Sequence, residues 1–184
     1  EDTDLALFKT HYYGGIKKYQ WTTVPLALHG VVVKGDGSCV NVVIGEDEGD
    51  PVFCITDLLP HLADDQMKKT MREGIAGEGL NILIGSKPAE VEKDKVKTAI
   101  LELLNKKYGI VEEDFISAEL EAVPAARARD IGFDRSMVGG YGQDDRVCAY
   151  TALAGILEVQ KPVRTAVCVL ADKEEVGSMG NTGM

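Results

Sequence analysis

Val163 to Gly180 reads VRTAVCVLADKEEVGSMG, an apolar run that stops at Asp172, Lys173, Glu174 and Glu175 and then meets glycines. β-branched and apolar residues fill Val163 to Leu170, and that length and texture predict a strand covered on both faces of an α/β sheet. Gly177 and Gly180 supply the turn chemistry that ends it. In open α/β sheets ligands bind beyond the carboxyl ends of the strands, so the adjacent Glu174 and Glu175 are candidates for metal binding or general-base work. Taken alone, the same polar residues also read as a solvated acidic turn.

A chain of 184 residues buries one substantial core or two small ones. Its composition, 45% hydrophobic and 27% charged, is that of a soluble globular protein. No apolar run approaches the roughly 20 residues that span a bilayer, which argues against membrane insertion. A formal net charge of −10 argues against a nucleic-acid partner, whose phosphates need a basic surface, and fits either a metal-binding or simply a very soluble protein. Cys39, Cys54, Cys148 and Cys168 sit singly in apolar segments without CxxC spacing, which predicts reduced core residues. With no signal peptide ahead of Glu1, the expected compartment is the cytoplasm. The sequence opens without methionine and stops at Met184 before any helix covers the expected sheet, so it is expected to be a piece of a longer protein.

Upstream, Asp4 to Trp21 (DLALFKTHYYGGIKKYQW) suggests a strand and a glycine turn at Gly14-Gly15. His11 beside Tyr12 and Tyr13 reads as a structural histidine or as a weak candidate ligand. Leu26 to Ile55 holds short β-rich runs parted by Gly35-Asp36-Gly37 and by the acidic stretch Glu46 to Asp50, the pattern of a small antiparallel sheet or barrel. EDEGD lacks the spacing and closing glutamate of a calcium loop, so it reads as a solvated turn. His61, within Pro60-His61-Leu62, is either buried and satisfied or projected from a loop. Leu80 to Ile84 reads as a strand. Lys93 to Tyr108 predicts a helix with Val96, Ile100, Leu103 and Leu104 on one face and Gly109 as its stop. Phe115 to Val123 alternates as a half-buried strand, and Pro124 to Gln143 reads as a loop. Gln143 to Leu157 (QDDRVCAYTALAGIL) predicts a second helix packed through Val147, Tyr150, Thr151, Leu153, Ala154 and Leu157, with Asp144 and Asp145 at its start as caps or as metal ligands.

Asp144-Asp145 opening a helix, followed about thirty residues later by Glu174-Glu175, is a specific combination. Carboxylates gathered from neighbouring strand ends repel one another unless a cation sits among them, which makes a divalent metal the economical explanation. A glycosidase pair is the other chemistry open to paired acids, but no aromatic sugar platform accompanies them.

Four stretches, YYGGIKKYQW, LLPHLADD, GYGQDDRVCAYTALAGIL and DKEEVGSMGNTG, together resemble the M18 zinc aminopeptidases, which include aspartyl aminopeptidase and vacuolar aminopeptidase I. The resemblance implies an α/β/α catalytic domain interrupted by an inserted β-rich lid and dimerisation domain: residues 1–21 and 131–184 catalytic, 22–130 inserted. It further implies two zinc ions, with Asp144 bridging them and Asp145 its neighbour across an often cis peptide. Glu175 is implied as a ligand of one zinc, and Glu174 as the general base that takes a proton from the attacking water. His61 is implied to reach the active site of a neighbouring subunit, suited to substrate binding or to stabilising an oxyanion. The family's HxD histidine, a later aspartate and a C-terminal histidine do not occur here, so this chain alone is expected to hold zinc poorly and to lack activity. The implied whole is a metalloaminopeptidase acting on peptides as a homo-oligomer. The other function class is a non-catalytic module for oligomerisation.

Overall fold

The computed structural model describes residues 5–179. Asp4, Gly180 and the last motif's Asn181, Thr182 and Gly183 lie outside them. In chain order the strands and helices are β1 (Ala6–Phe8), β2 (Leu26–Val33), β3 (Cys39–Ile44), β4 (Cys54–Ile55), α1 (Asp64–Met67), β5 (Ile82–Gly85), α2 (Lys95–Tyr108), β6 (Ala118–Pro124), β7 (Arg129–Ile131), β8 (Met137–Gly139) and α3 (Gln143–Leu157). They belong to a mixed α/β fold whose named strands pair antiparallel. The chain divides into two compact units, Glu1–Tyr12 with Lys17–Ala126, and Tyr13–Ile16 with Arg127–Met184.

In the first unit, β2 is the central strand of the sheet β3-β2-β6. The expected hairpin forms at Gly35-Asp36-Gly37, with Val33 opposite Cys39 and Leu28 opposite Ile44. Its turn is held by the Gly37 N–H on the Lys34 carbonyl at 2.8 Å and by the Asp36 carboxylate, which accepts the Ser38 N–H at 2.8 Å. Val32, Val42, Ile44 and Ile110 form the core on one face, with Phe53, Phe115 and Leu120 packed against them. Each such aliphatic side chain contributes about 1.5–3 kcal/mol when buried, so this face dominates the unit's stability.

The same unit holds a second sheet, β1-β5-β4, on which α2 packs. Along α2, Val96 is buried and Ile100 and Leu104 half-buried, whereas Leu103 is exposed. Gly109 ends the helix in the left-handed conformation, its N–H donating to the Asn105 carbonyl at 2.7 Å. The strand expected from Phe115 begins later, because Glu112–Ser117 forms a 3-10 turn. Buried Asp114 anchors that turn by accepting the Gly35 N–H at 3.0 Å and the Val111 N–H at 2.9 Å. Here a side-chain hydrogen-bonding opportunity overrides the alternating pattern.

The second unit departs further from expectation. The stretch expected to be a loop forms the ribbon β7–β8, with Arg129 opposite Gly139 and Ile131 opposite Met137. Asp134 closes it by accepting the Ser136 hydroxyl at 3.0 Å, the kind of local turn that a periodicity reading passes over. The helix expected over Gln143 to Leu157 is present as α3, but Val147, Tyr150, Thr151, Leu153 and Leu157 on its expected packed side are exposed. Val163 to Leu170 is not a strand: no described residue pairs with it, and its valines face solvent. A β-branched pattern expresses a preference that only a ladder partner converts into a strand. The cysteines are free as expected, yet none is core: Cys39 and Cys148 are exposed, Cys54 and Cys168 half-buried. Among the described residues no helix is long and apolar enough to cross a membrane.

Candidate functional site

Two of the four predicted acids, Asp144 and Asp145, sit where the backbone leaves regular structure. α3 starts after Gly142, whose positive φ of 76° turns the chain into the helix. Asp144 and Asp145 then depart from helical geometry, at φ −90°, ψ 115° and φ −114°, ψ 31°, and the peptide between them is cis. Both side chains are exposed, and no side-chain hydrogen bond caps the helix. The capping role open to them in the sequence is therefore not used. Both still lie at the positive end of the helix dipole.

Glu174 and Glu175 occupy a 3-10 turn, Glu174–Met179, entered through Lys173 in the left-handed region at φ 57°. The Val176 N–H donates to the Lys173 carbonyl at 3.0 Å, which tightens the bend directly over the two glutamates. Both are exposed. Glu175 lies against the backbone of Gly14, a residue distant in sequence but part of the same unit. That neighbour was read only as a turn; the paired glycines between aromatic and basic runs were the signal available.

His61 belongs to the first unit. It is exposed in a turn where the Leu62 N–H donates to the Leu59 carbonyl at 2.9 Å and the Ala63 N–H to the Pro60 carbonyl at 3.3 Å. The imidazole therefore lies on the surface of this chain and not in its core. Leu58, Leu59 and Leu62 around it are exposed as well. His11 is also exposed.

Carboxylate oxygens suit a divalent cation, and the exposure of Asp144 and Glu175 leaves them open to one. Among the described residues, however, no three His, Cys, Asp or Glu side chains gather closely enough to hold a metal ion. A closed zinc site takes about four donors, so the described residues fit such a metal as contributors of ligands and not as the whole site. Elsewhere in the second unit, Ala128, Arg129, Asp130, Gly132 and Arg135 line an open cleft of about 530 Å³. There the Arg135 Nε donates to Asp130 Oδ2 at 2.6 Å.

Comparison with known proteins places these residues in context. The profile of the family described as "Aminopeptidase I zinc metalloprotease (M18)" matches residues 1–184. A probable M18 family aminopeptidase 1 of Clostridium acetobutylicum is 62% identical over 186 residues, covering 100% of this chain and 40% of the relative. Among solved structures, the M18 aminopeptidase of Thermotoga maritima superposes with a TM-score of 0.91 at 52% identity, covering 100% of this chain and 40% of that one. Aminopeptidase I of Clostridium acetobutylicum superposes with a TM-score of 0.89 at 59% identity, covering 100% of this chain and 41% of that one. The chain thus spans about 40% of the length of the relatives it matches.

Proposed function

Because this chain belongs to the M18 family of zinc metalloproteases, aminopeptidase I type, we propose that the protein removes N-terminal residues from peptides. The observation that carries this reading is a family match running the length of the chain, through both acidic motifs. Asp144 and Glu175 would hold the zinc of the full-length enzyme, for which two ions are expected. Zinc, when bound, supplies Lewis acidity toward the scissile carbonyl and the attacking water. Glu174 accepts the proton of that water through its exposed carboxylate and delivers it to the departing amine, as a general base and then a general acid. His61, exposed on its loop, is proposed to reach the active site of a neighbouring subunit and to donate a hydrogen bond there to the substrate oxygen on which charge develops.

We assign residues 22–130 to an inserted lid and dimerisation domain and 1–21 and 131–184 to the catalytic domain. The division of the structure after Ala126 supports a boundary near 130, whereas of residues 1–21 only Tyr13–Ile16 groups with the second unit. A homo-oligomer is supported by the exposed apolar side chains Leu58, Leu59, Leu62, Met67 and Met71, which this chain leaves uncovered. The four free cysteines fit a reducing, cytoplasmic compartment. A second reading concerns the 184-residue chain by itself. The absence of any three-donor cluster among its described residues favours a non-catalytic lid and assembly module for that species.

In the full-length gene product, Glu174→Gln is expected to lower kcat on aminoacyl peptides by a factor of about 10²–10⁴, with zinc content unchanged. The 184-residue chain alone is expected to release no N-terminal residue. Undiminished turnover by Glu174→Gln would remove the general-base assignment, and activity in the isolated chain would remove the incomplete-site reading.

A further inference from the structure

Gly14 has φ +67°, and a Cβ built on it would lie 2.6 Å from Oε2 of Glu175, 3.2 Å from its Cβ and 3.3 Å from its Cδ. Nothing lies within 4 Å of the corresponding position on Gly15. The two adjacent glycines therefore do different things. Gly15 is tolerant of a side chain, whereas any side chain at Gly14 displaces the Glu175 carboxylate or is displaced by it. The segment Tyr13–Ile16 is cut off in sequence from the rest of the second unit by more than 100 residues of the first, yet it belongs to the second unit.

We propose that Gly14 is a positioning residue for Glu175. Its bare Cα leaves room for the Glu175 side chain to lie against the main chain, with Oε2 in the space a Cβ would fill, and that backbone wall fixes where its oxygens point. A glutamate on an exposed turn has many rotamers, and a metal ligand must be held to within about half an ångström of its working place. A wall of main chain is well suited to that task because it has no rotamers of its own. The inference rests on the assignment of Glu175 as a zinc ligand. It also accounts for Gly14 in YYGGIKKYQW, a motif to which the proposed chemistry gives no other role.

Positive φ alone favours glycine at this position, so the test has to separate backbone strain from the steric wall. In the full-length gene product, Zn²⁺ affinity is measured by competition with a chelator, and thermal unfolding is followed without metal, for Gly14→Ala, Gly15→Ala, Glu175→Ala and the double variant Gly14→Ala/Glu175→Ala. Gly14→Ala is expected to weaken Zn²⁺ binding about tenfold or more, the range for lost support of a metal ligand, while Gly15→Ala stays within about twofold of the parent. The double variant is expected to bind no more weakly than Glu175→Ala alone, because the wall matters only through the side chain it orients. Gly14→Ala with parental affinity overturns the proposal, as does an equal further loss in the Glu175→Ala background. Unchanged Zn²⁺ affinity in Glu175→Ala overturns the ligand assignment itself, a result distinct from the other two. If Gly14→Ala does not fold, Gly14→Asn, whose residue type tolerates the left-handed backbone but still carries a Cβ, is held to the same outcomes. Failure of both to fold overturns the proposal, since the role is then structural.

Discussion

Leu26–Val33 (LALHGVVV) and Val163 to Leu170 (VRTAVCVL) are both eight-residue runs dominated by aliphatic side chains, and by pattern alone either one is a strand. The first is β2, paired on both sides, with Leu26 and Val32 at 0% exposure. The second has no pairing partner among the described residues, and Val163 and Val169 are 100% and 74% exposed. Composition is therefore not what separates them. β2 finds β3 across a five-residue turn, Lys34 to Ser38, and pairs on its other side with β6, whose approach Asp114 anchors to Gly35, so both of its neighbours lie within the described residues. Nothing among the described residues does the same for Val163 to Leu170. Apolar burial is a property of the assembled surface, and a segment without neighbours gains none of it.

The largest break in this comparison comes from deleting a buried side chain on the paired side. Leu26→Ala should cost about 3 kcal/mol of unfolding free energy, the lost transfer of the side chain plus the cavity left between β2 and its neighbours. Chemical denaturation of the 184-residue chain, followed by far-ultraviolet circular dichroism, measures it. A cost below about 1 kcal/mol would mean that the β3-β2-β6 sheet is not the stability centre described above.

On the unpaired side the same kind of substitution should do little. Val167, 72% exposed, changed to Ala in the 184-residue chain is expected to shift stability by no more than about 0.5 kcal/mol, as at surface positions generally. Repeating Val167→Ala in the full-length gene product sharpens the contrast. If further polypeptide covers this run there, the cost rises into the range of about 1 kcal/mol or more typical of a buried valine that loses two methyl groups. Equal, small effects in both would mean that the run is a surface segment in its own right.

The same division explains what the sequence made legible. The hairpin at Gly35-Asp36-Gly37, the helix stop at Gly109 and the start of α3 are encoded within a few residues, by turn and cap chemistry, and were readable. Asp144, Glu174 and Glu175 were readable as acids at element ends. Their common purpose came from the motif resemblance and not from their spacing. Three features resisted reading for physical reasons. The 3-10 turn ahead of β6 depends on Asp114 reaching Gly35, 79 positions away, which no periodicity reports. The β7–β8 ribbon is only three residues on each side, too short to show alternation. The contact of Gly14 with Glu175 joins distant residues through the fold alone.

A smaller effect distinguishes the two acidic turns. In the first unit, the Asp50 carboxylate accepts the Gly45 N–H at 3.0 Å and lies 3.7 Å from the Lys107 ammonium, so the turn Glu46 to Asp50 is tied to the end of β3. These contacts, chiefly the Gly45 N–H, hold the carboxyl below its ordinary value of 3.8. Because the folded group titrates lower than the unfolded one, its contribution to stability is complete above the unfolded value and is lost as pH falls through the lower folded value. Asp50→Asn, whose amide cannot ionise, should therefore lower stability modestly at neutral pH and flatten the acid limb of the stability profile below about pH 4. Glu48→Gln in the same turn is the matched control, since no hydrogen bond or ion pair to the structured elements involves that exposed side chain. Urea unfolding midpoints for the parent and both variants, taken at intervals between neutral pH and the acid limb, decide the matter. Parallel profiles for parent and Asp50→Asn would show that Asp50 does not tie the turn to the end of β3.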